Sequence, residues 1–286
     1  MPSLIDIRRR VRSVKNTQQI TKAMKMISAA KLRRAQDRAL SARPYGTMIH
    51  QILANVAEAA SQNPDAGAHP LLAVRPEKNV LVIVVTADRG LAGAFNTNLL
   101  KLAQRFVLDN RDKNITFEAI GRKGRDYFQR RDGKIANAHL DMMKLLSVDY
   151  ADKIAESIVD RFSSGEVDAV YLFVNEFKSV MAASLAQSRL LPIEVPKSSA
   201  SVDYIYEQKP EELLGTLLPK YVKGQIYRAL LESVAAEHAA RMTAMDAASS
   251  NASDMIDKLT LYMNRVRQAS ITREIIEIVS GAAALG

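Results

Sequence analysis

The sequence predicts an α/β fold in which long N- and C-terminal helices form an antiparallel coiled coil and the middle of the chain forms a domain with a mostly parallel sheet. Three observations in the 286 residues predict it: a helical pattern near the N-terminus, alternating apolar strands and helices in the middle, and heptad spacing near the C-terminus. They divide the chain into an N-terminal coiled-coil helix at 1–60, a linker at 61–76, a central α/β domain at 77–205 and a C-terminal coiled-coil helix at 206–286.

The N-terminal segment, from Leu4 to about Ala60, has a helical pattern rich in Ala, Lys, Arg, Gln and Met. Proline disfavours a helical residue before it, so the Arg43–Pro44 pair is expected to kink or interrupt the helix, and the pattern does not decide which. Three prolines within 61–76 indicate a linker. The apolar stripe is expected at Leu4, Ile7, Val11 and Val14 and, after a three-residue slip, at Thr17, Ile20, Met24 and Ile27.

The central segment alternates strands and helices. Val80–Thr86 is a continuous apolar run, which is typical of a parallel strand buried on both faces. This alternation predicts a Rossmann-like domain, to which Ser179–Ile193 could add an edge strand. Further strands are predicted at Ile115–Ile120 and Val167–Val174, and helices at Asn98–Leu108, Lys123–Gln129 and Val148–Phe162.

The C-terminal segment predicts a second long helix. At ~1.5 Å per residue, a helix of about 65 residues is longer than a compact body of this chain, so the terminal helices are expected to project together. His238 and Arg241 occupy seam positions. They indicate either polar residues that fix the register of the two helices or a place where the seam faces a partner. The tip from Ile275 to Leu285 carries one charge, Glu277, and implies an apolar partner sleeve. The seam is predicted at Met245, Ala248, Ala252, Met255, Leu259, Tyr262, Val266 and Ala269.

Composition excludes several classes of protein. The chain has no cysteine, so disulfides, thiolate metal sites and cysteine nucleophiles are excluded. The longest stretch without Asp, Glu, Lys or Arg, 44–57, is too short and too polar to span a bilayer. The N-terminus lacks an apolar run followed by a cleavage site, so a reduced, cytoplasmic compartment is expected.

The charge distribution bears on the partner. Residues 1–60 hold 12 Lys/Arg and 3 Asp/Glu, whereas residues 61–286 hold 28 of each sign. A nucleic-acid binder usually adds aromatic residues that stack on bases, but residues 1–43 contain none. The basic helix is therefore interpreted as a solvated coiled-coil exterior or as a docking surface for an acidic protein loop, and nucleic acid is not expected as a partner.

The turn TADRGLAGAFN at 86–96 is the nearest candidate for a phosphate site, because Gly90 and Gly93 follow a strand and open a helix. A dinucleotide-binding fingerprint needs a third glycine and an acid near the end of the next strand, and that strand ends without the acid. The glycine-rich run 121–125 could hold an anion or be a solvated helix start. The four histidines lack metal-ligand spacing, and no nucleophile elbow occurs. We therefore predict no catalytic residue, no cofactor and no metal site.

Three segments resemble the F-type ATP synthase gamma subunit: IRRRVRSVKNTQQITKAMKMISAAKLRRAQ (7–36), TADRGLAGAFN (86–96) and ARMTAMDAASSNASDMIDKLTLYMNRVRQASITREIIEIVSGAAAL (240–285). That family often has cysteine where Ala92 stands, and alanine keeps the small side chain. The cysteine-containing insertion of the chloroplast version and a mitochondrial presequence are not seen, which favours a bacterial source.

The resemblance implies a non-catalytic rotor shaft in the proton-translocating ATP synthase. The coiled coil would lie inside a ring of three alpha and three beta subunits, and the α/β base would join the epsilon subunit and the membrane c-ring. Rotation of the c-ring would drive each beta subunit through its open and closed states. The implied location is peripheral, on the cytoplasmic side of the bacterial inner membrane, with no small-molecule substrate of its own.

The resemblance also implies contacts with partner subunits, all within the matching segments. For each residue, coiled-coil packing or solvated charge is the alternative. The implied contacts are Arg267, Gln268 and Thr272 on a beta loop, Met24 and Lys25 facing the acidic lever region of beta, Arg89 at the base of the stalk, and Ile275, Ile276 and Val279 in an apolar bearing.

Two other functions stay open on the sequence alone. One is a nucleotide-binding α/β enzyme with coiled-coil oligomerisation arms, and the other is a basic coiled-coil adaptor for nucleic acid. Micromolar binding of ATP or NAD would favour the enzyme, and steeply salt-dependent binding of DNA would favour the adaptor.

Overall fold

The computed structural model describes residues 3–61, 69–141, 146–179, 183–194 and 208–284. The chain forms two compact units. One consists of the described residues up to Ser28 and from Met242 onward, and the other runs from Ala29 to Arg241.

A sheet of five described strands forms the centre of the larger unit. The strands lie in the order β3-β2-β1-β4-β5; the first four are parallel, and β5 pairs antiparallel with β4. The predicted fold class, with its mostly parallel sheet, is thus confirmed. In chain order the strands are β1 Asn79–Val85, β2 Asn114–Ile120, β3 Lys134–His139, β4 Ala169–Phe177 and β5 Ala183–Leu191.

Helices cover both faces of this sheet. They are α2 Phe95–Asp109, α3 Arg122–Gln129 and α4 Val148–Ser163. A hydrophobic core lies on each face of the sheet, and alternate residues of β1 pack into one or the other. Val82 packs on the side of α2 and α3, whereas Ile83 packs on the side of α4. Because β1 is buried on both sides, its sequence is a continuous apolar run, as the sequence analysis expected.

The chain begins and ends its described part in two long helices. Helix α1 runs from Leu4 to Ser61 and helix α5 from Pro210 to Ala284. Ser3 caps α1, since its hydroxyl accepts a hydrogen bond from the backbone N–H of Asp6 at 3.2 Å. Pro44 lies inside α1, so it does not end the helix.

The predicted linker at 61–76 lies partly outside the described residues, at 62–68. Within its described part, Pro70–Leu72 forms a short 3₁₀-helix. Leu71 is fully buried in the core on the α4 side, and its carbonyl accepts a hydrogen bond from the N–H of Ile193 at 2.9 Å. This part of the segment is therefore packed against the sheet.

The apolar stripe of α1 within the smaller unit differs from the prediction. Its burial continues without the expected slip, and polar residues take the inward positions after Val14: Gln18, Thr21, Lys25 and Ser28. The predicted positions Ile20 and Ile27 are instead more than half exposed, at 60% and 57%. The prediction followed hydrophobicity, and the structure places polar groups that find partners across the seam at these positions.

The seam of α5 is also shifted in part. Met255, Tyr262 and Ala269 are exposed. The other predicted seam residues are buried or half-buried, as expected: Met245, Ala248, Ala252, Leu259 and Val266. The intervening seam positions are one residue further on, at Ser249, Ile256, Met263 and Ser270. The sequence could not distinguish the two stripes, because small or apolar residues stand at both sets of positions.

The edges of the sheet were harder to predict than its centre. The edge strand β3 was not predicted, since its sequence KIANAH has no apolar run and most of its residues are exposed or half-exposed. The other edge strand, β5, lies within the 179–193 segment that could add an edge strand; residues 180–182 of that segment lie outside the described ones.

Candidate functional site

The turn at 86–96 lies at the carboxyl end of β1, where an α/β sheet of this type usually binds ligands. Strands β2 and β4 flank β1 on opposite sides, so this end of β1 is the point where the strand order reverses. The side chain of Thr86 is fully buried, and its hydroxyl accepts a hydrogen bond from the N–H of Gly124 at 2.8 Å. The turn is therefore tied directly to the start of α3.

The backbone amides at the start of α3 are already occupied. The N–H of Arg122 donates to Asp88 Oδ1 at 3.0 Å, and the N–H of Lys123 donates to the carbonyl of Ala87 at 3.1 Å. Together with Gly124, these are the donors that a phosphate would need at a helix N-terminus. The glycine-rich run 121–125 therefore uses its amides to hold the 86–88 turn rather than to present them to an anion.

Helix α5 fills the crevice beside this turn. Ala236 of α5 is fully buried in one cluster with Ala87, Ala92 and Phe95. A nucleotide bound at this end of β1 would have to displace the helix. Ala92, which stands where the resembling family often has cysteine, is the small residue that lets the turn approach α5.

A buried ion pair fastens the same turn to α5. Arg241 Nη2 lies 2.6 Å from Glu237 Oε1 and donates a hydrogen bond to the carbonyl of Gly90 at 3.2 Å. Burial raises the pKa of Glu237, and the charge of Arg241 opposes this shift. Burial, with Arg241 and Lys31 nearby, lowers the pKa of His238 to about 4. His238 is therefore neutral near pH 7, and Arg241, predicted as a seam residue, holds the turn.

Arg89 lies between two residues of the turn that make these contacts. Asp88 accepts from α3 and Gly90 accepts from α5, while the side chain of Arg89 is exposed. Its flanking residues hold its backbone, which leaves the guanidinium available to another molecule.

The smaller unit carries a polar cluster between α1 and α5. The hydroxyls of Thr21 and Ser249 are 2.7 Å apart and buried, and Gln18 Nε2 donates to the carbonyl of Ser249 at 3.4 Å. Lys25 Nζ lies 2.6 Å from Asp246 Oδ1, and the two side chains are 42% and 61% exposed. The predicted partner contact Lys25 thus already has an intramolecular acid, and exposed pairs of this kind contribute little to stability.

Part of the stripe predicted for the seam of α1 forms instead an exposed apolar surface of that helix. Ile20 and Ile27 are exposed, and Met24 between them is half-buried. These residues are spaced four and three apart, so they share one face of the helix. Met24, predicted as a partner contact, therefore lies on an apolar face that the described part of the smaller unit leaves open.

The remaining predicted contacts lie near the end of α5. Arg267, Gln268 and Thr272 are exposed, and Thr272 Oγ1 donates to the carbonyl of Gln268 at 2.9 Å. The bearing residues are exposed by 56% to 61%. That set is Ile275, Ile276 and Val279.

Two features of the site were not predicted from the sequence. The first is the clamp formed by Glu237 and Arg241 on the 86–96 turn, for which the i, i+4 spacing of the acid and the base was an available signal. The second is the polar pair of Thr21 and Ser249, for which the sequence held no signal, because hydroxyl residues are equally common on exposed helix faces.

Within the described ranges, no helix is long and apolar enough to cross a membrane. Among the same residues, no group of three or more His, Asp or Glu side chains is arranged to hold a metal ion.

Comparison with known proteins shows the family to which the chain is related. The sequence model of the family described as ATP synthase matches residues 3–285. The chain is 61% identical over 284 residues to the ATP synthase gamma chain of Solibacter usitatus, covering 99% of each chain. It is 51% identical over 290 residues to that of Anaeromyxobacter sp. strain Fw109-5, covering all of both.

Solved structures support the same fold. The central stalk and c-ring structure of the Tetrahymena thermophila mitochondrial ATP synthase contains a chain with a TM-score of 0.63 at 24% identity, covering 80% of this chain and 99% of that one. The rotor of the Euglena gracilis mitochondrial ATP synthase gives 0.65 at 19% identity, covering 94% and 98%. With identities of 61% and 51% over nearly the full length of these two gamma chains, this chain belongs to the family of ATP synthase gamma chains.

Proposed function

We propose that this chain is the central-stalk rotor subunit of an F-type ATP synthase and is not itself catalytic. The observation that carries the proposal is the buried contact of Ala236 with the 86–96 turn. In an α/β enzyme this crevice would hold the ligand, and here the chain's own long helix occupies it. The α/β domain is thus built to hold a helix, which suits a mechanical part.

The mechanism follows from the shape of a helix pair. Two helices packed side by side have no threefold symmetry, so their contacts with three equivalent catalytic subunits differ at any instant. Shifting one catalytic subunit from 1:99 to 99:1 between two states needs about 5.5 kcal/mol of differential contact energy. Exposed apolar side chains such as Ile20 and Ile27, together with exposed cations, offer contacts that can supply it.

The proposed partners are three alpha and three beta subunits around the helix pair, with the epsilon subunit and the c-ring at the α/β domain. Arg267, Gln268 and Thr272 would bind a beta loop through polar groups that are open to solvent in the chain alone. Arg89 would act at the base. The complex would place the chain on the cytoplasmic side of the bacterial inner membrane as a peripheral subunit.

The exposed apolar side chains near the end of α5 are an argument for the proposed apolar bearing. Four isoleucines and a valine within 271–279 are between 48% and 71% exposed, a large apolar surface for a helix end. Surfaces of this kind mark sites of protein contact. Ile275, Ile276 and Val279 would therefore turn inside an apolar sleeve formed by the ring.

The experiment that tests the proposal uses the absence of cysteine from the chain. Met24→Cys is combined with a cysteine on the facing loop of beta, and the complex is reconstituted. Oxidation should arrest ATP turnover, and reductant should restore it. Full ATP turnover in the crosslinked complex would contradict the rotor function.

Met48→Cys is the matched control, since Met48 is an exposed methionine of the same helix. It lies 24 residues further along the helix and belongs to the larger unit, whereas Met24 belongs to the smaller one. We expect no crosslink from this position to the same beta loop and no arrest upon oxidation. Arrest in the control would indicate general oxidative damage rather than a blocked rotor.

A further inference from the structure

Two side chains of α5 bury oxygen atoms that have no hydrogen-bond partner among the described residues. Ser233 is fully buried, and its hydroxyl has no partner there. Glu237 is 5% exposed; its Oε1 binds Arg241, but its Oε2 has no partner. Buried polar atoms in folded proteins are rarely left without a partner, because each has lost the hydrogen bonds that water makes to it in the unfolded chain. Both oxygens therefore need a partner from outside the described side chains.

The hydroxyl of Ser233 does not make the bond that its own helix offers. A serine inside a helix can donate to the carbonyl four residues earlier. Ser249 of the same helix does so, to the carbonyl of Met245 at 2.8 Å. Ser233 makes no such bond to Ala229. Its hydroxyl is therefore directed away from the backbone of α5.

The two oxygens belong to one face of α5, the face that packs on the 86–96 turn. Residues four apart on a helix are neighbours, with Cβ atoms about 5–6 Å apart. Ala236 lies between them in sequence and is buried in one cluster with Ala87 and Ala92 of the turn. A molecule that reaches both oxygens is therefore enclosed between the helix and the turn, and it has to be small.

The charges around Glu237 exclude an ion as this molecule. Burial raises the pKa of Glu237, the charges of Arg241 and Lys31 oppose the shift, and the charge of Asp88 adds to it. Two nearby cations repel a metal ion, and two nearby carboxylates repel an anion. Two unpartnered oxygens are also too few for calcium, which takes about 6–8 oxygen ligands. The molecule is therefore neutral and able both to donate and to accept hydrogen bonds.

We propose that one internal water molecule bridges Ser233 Oγ and Glu237 Oε2 and forms part of the contact between α5 and the 86–96 turn. It donates a hydrogen bond to Glu237 Oε2 and accepts one from the Ser233 hydroxyl. Internal waters make about 2–4 hydrogen bonds of this kind and are costly to remove. The site is a property of the chain and does not rest on the proposed function.

The water has a role in the clamp on the turn. A carboxylate that accepts hydrogen bonds at both oxygens is better able to stay charged when it is buried. The charged Glu237 holds Arg241 at 2.6 Å, and Arg241 donates to the carbonyl of Gly90. The water therefore stabilises the position of the turn that carries Arg89.

The first test is the sign of the effect of Ser233→Ala on the urea midpoint of the full-length chain. If the hydroxyl had no partner, alanine would raise the midpoint, because it removes an unsatisfied polar group and favours a helix. With the bridge in place, alanine removes one of the two groups that hold the water and deprives Glu237 Oε2 of its donor, so the midpoint should fall. A raised midpoint would overturn the proposal.

Ser41→Ala is the matched control. Ser41 is an exposed serine of α1 in the same unit, and its hydroxyl donates to the carbonyl of Asp37 at 2.8 Å. The midpoint should stay at the wild-type value or rise slightly, since alanine favours a helix. A fall as large as that of Ser233→Ala would mean that the loss of any helical hydroxyl destabilises the chain, and the bridge would be refuted.

The second test counts long-lived internal waters by oxygen-17 magnetic relaxation dispersion on the full-length chain. Ser233→Ala should lower the dispersion amplitude by the contribution of a single water, and Ser41→Ala should leave it unchanged. An unchanged amplitude in Ser233→Ala would show that the hydroxyl is satisfied without water, and the proposal would fail.

The third test measures the role in the clamp by hydrogen exchange. Ser233→Ala should speed exchange in the 86–96 turn, because Glu237 holds Arg241 less firmly, whereas Ser41→Ala should not. Loss of the water with unchanged exchange in the turn would refute the role in the clamp and leave the water site itself supported.

Discussion

At the scale of the residue, the candidate site depends on how closely Gly121 approaches Thr86. Gly121 has a φ of +94°, and a Cβ atom there would overlap the carbonyl oxygen of Thr86. Backbone atoms cannot yield as a flexible side chain can. The close approach lets the hydroxyl of Thr86 donate to the carbonyl of Ile120 at 3.1 Å while accepting from Gly124. Glycine at this position is thus required by both conformation and space.

Gly121→Ala should therefore destabilise the chain by about 3 kcal/mol or more, because the positive φ and the overlap with Thr86 add. Urea unfolding monitored by circular dichroism measures the change. Gly90→Ala in the neighbouring turn is the control, since an added Cβ there meets nothing within 4 Å. It should change the free energy of unfolding by less than about 1 kcal/mol. Equal effects of the two substitutions would contradict the role of Gly121.

His238 gives a prediction about pH. Burial lowers its pKa to about 4, and the nearby cations Arg241 and Lys31 act in the same direction. An unfolded histidine takes up its proton near pH 6.5, so the unfolded state binds more protons than the folded state between about pH 6.5 and 4. His238 therefore contributes stability that is present above pH 6.5 and is lost as the pH falls through this window.

Proton NMR measures this directly, because the chain has only four histidines. The ring resonance of His238, assigned by its loss in His238→Gln, should begin to shift only below pH 5. Glu237, with its raised pKa, affects the pH dependence of stability in the opposite direction, so the resonance is a cleaner measure than unfolding. A midpoint near 6.5 would show that His238 is solvated.

At the scale of the element, α5 is defined by small residues where it meets the 86–96 turn. Ala236 is fully buried there, and Ala235 and Ala239 beside it are also buried. Small side chains on a helix let its backbone approach a turn closely. The same stretch carries Glu237 and Arg241, so the close approach brings the clamp within reach of Gly90.

Ala236→Leu should overpack this contact and destabilise the chain by about 1–3 kcal/mol, because three methylene-sized groups have no space to enter. The measurement is the urea midpoint of the full-length chain. Ala247→Leu, on an exposed face of the same helix, should leave the midpoint nearly unchanged. If the leucine at 236 were tolerated as well as the one at 247, the crevice would be open and a ligand site would have to be reconsidered.

Elements that are buried along their whole length could be predicted from the sequence, whereas elements at the edges of the sheet could not. Strand β1 is buried on both faces, so hydrophobicity alone identifies it. Strand β3 pairs on one edge only and keeps polar residues, so it resembles a loop. The seam of α1 was misassigned because Ile20 and Ile27 are apolar yet exposed. In this helix, hydrophobic residues mark an exposed face as well as the seam.

The candidate site could be predicted only where a local stretch of sequence identifies it. The sequence located the 86–96 turn and recognised that it lacks a full nucleotide fingerprint. It could not show that Ala236, some 140 residues further on, fills the crevice, because small residues are common in helices and carry no contact signal. The partner contacts implied by the resemblance, Arg267 and Gln268 among them, stay predictions.

At the scale of the whole molecule, the uneven distribution of charge along the chain favours one orientation of binding to a partner. The net charge of +9 arises within residues 1–60, and the rest of the chain is balanced. Within the first 28 residues, Lys25 has an intramolecular acid, while Arg8, Arg9 and Arg12 are exposed. A positively charged helix, in a chain whose other residues carry no net charge, favours association with an acidic partner in one orientation.

Reversing three of these cations, in the variant Arg8→Glu, Arg9→Glu and Arg12→Glu, should slow assembly with the ring at least tenfold at low salt and remove most of its salt dependence. The measurement is the rate at which coupled ATP synthesis is recovered on reconstitution, as a function of ionic strength. The control variant, Arg111→Glu, Lys123→Glu and Arg130→Glu, changes the net charge equally through exposed residues of the α/β domain. It should retain the rate and the salt dependence of the wild type. An equal loss in both variants would mean that total charge, rather than its position on α1, governs assembly.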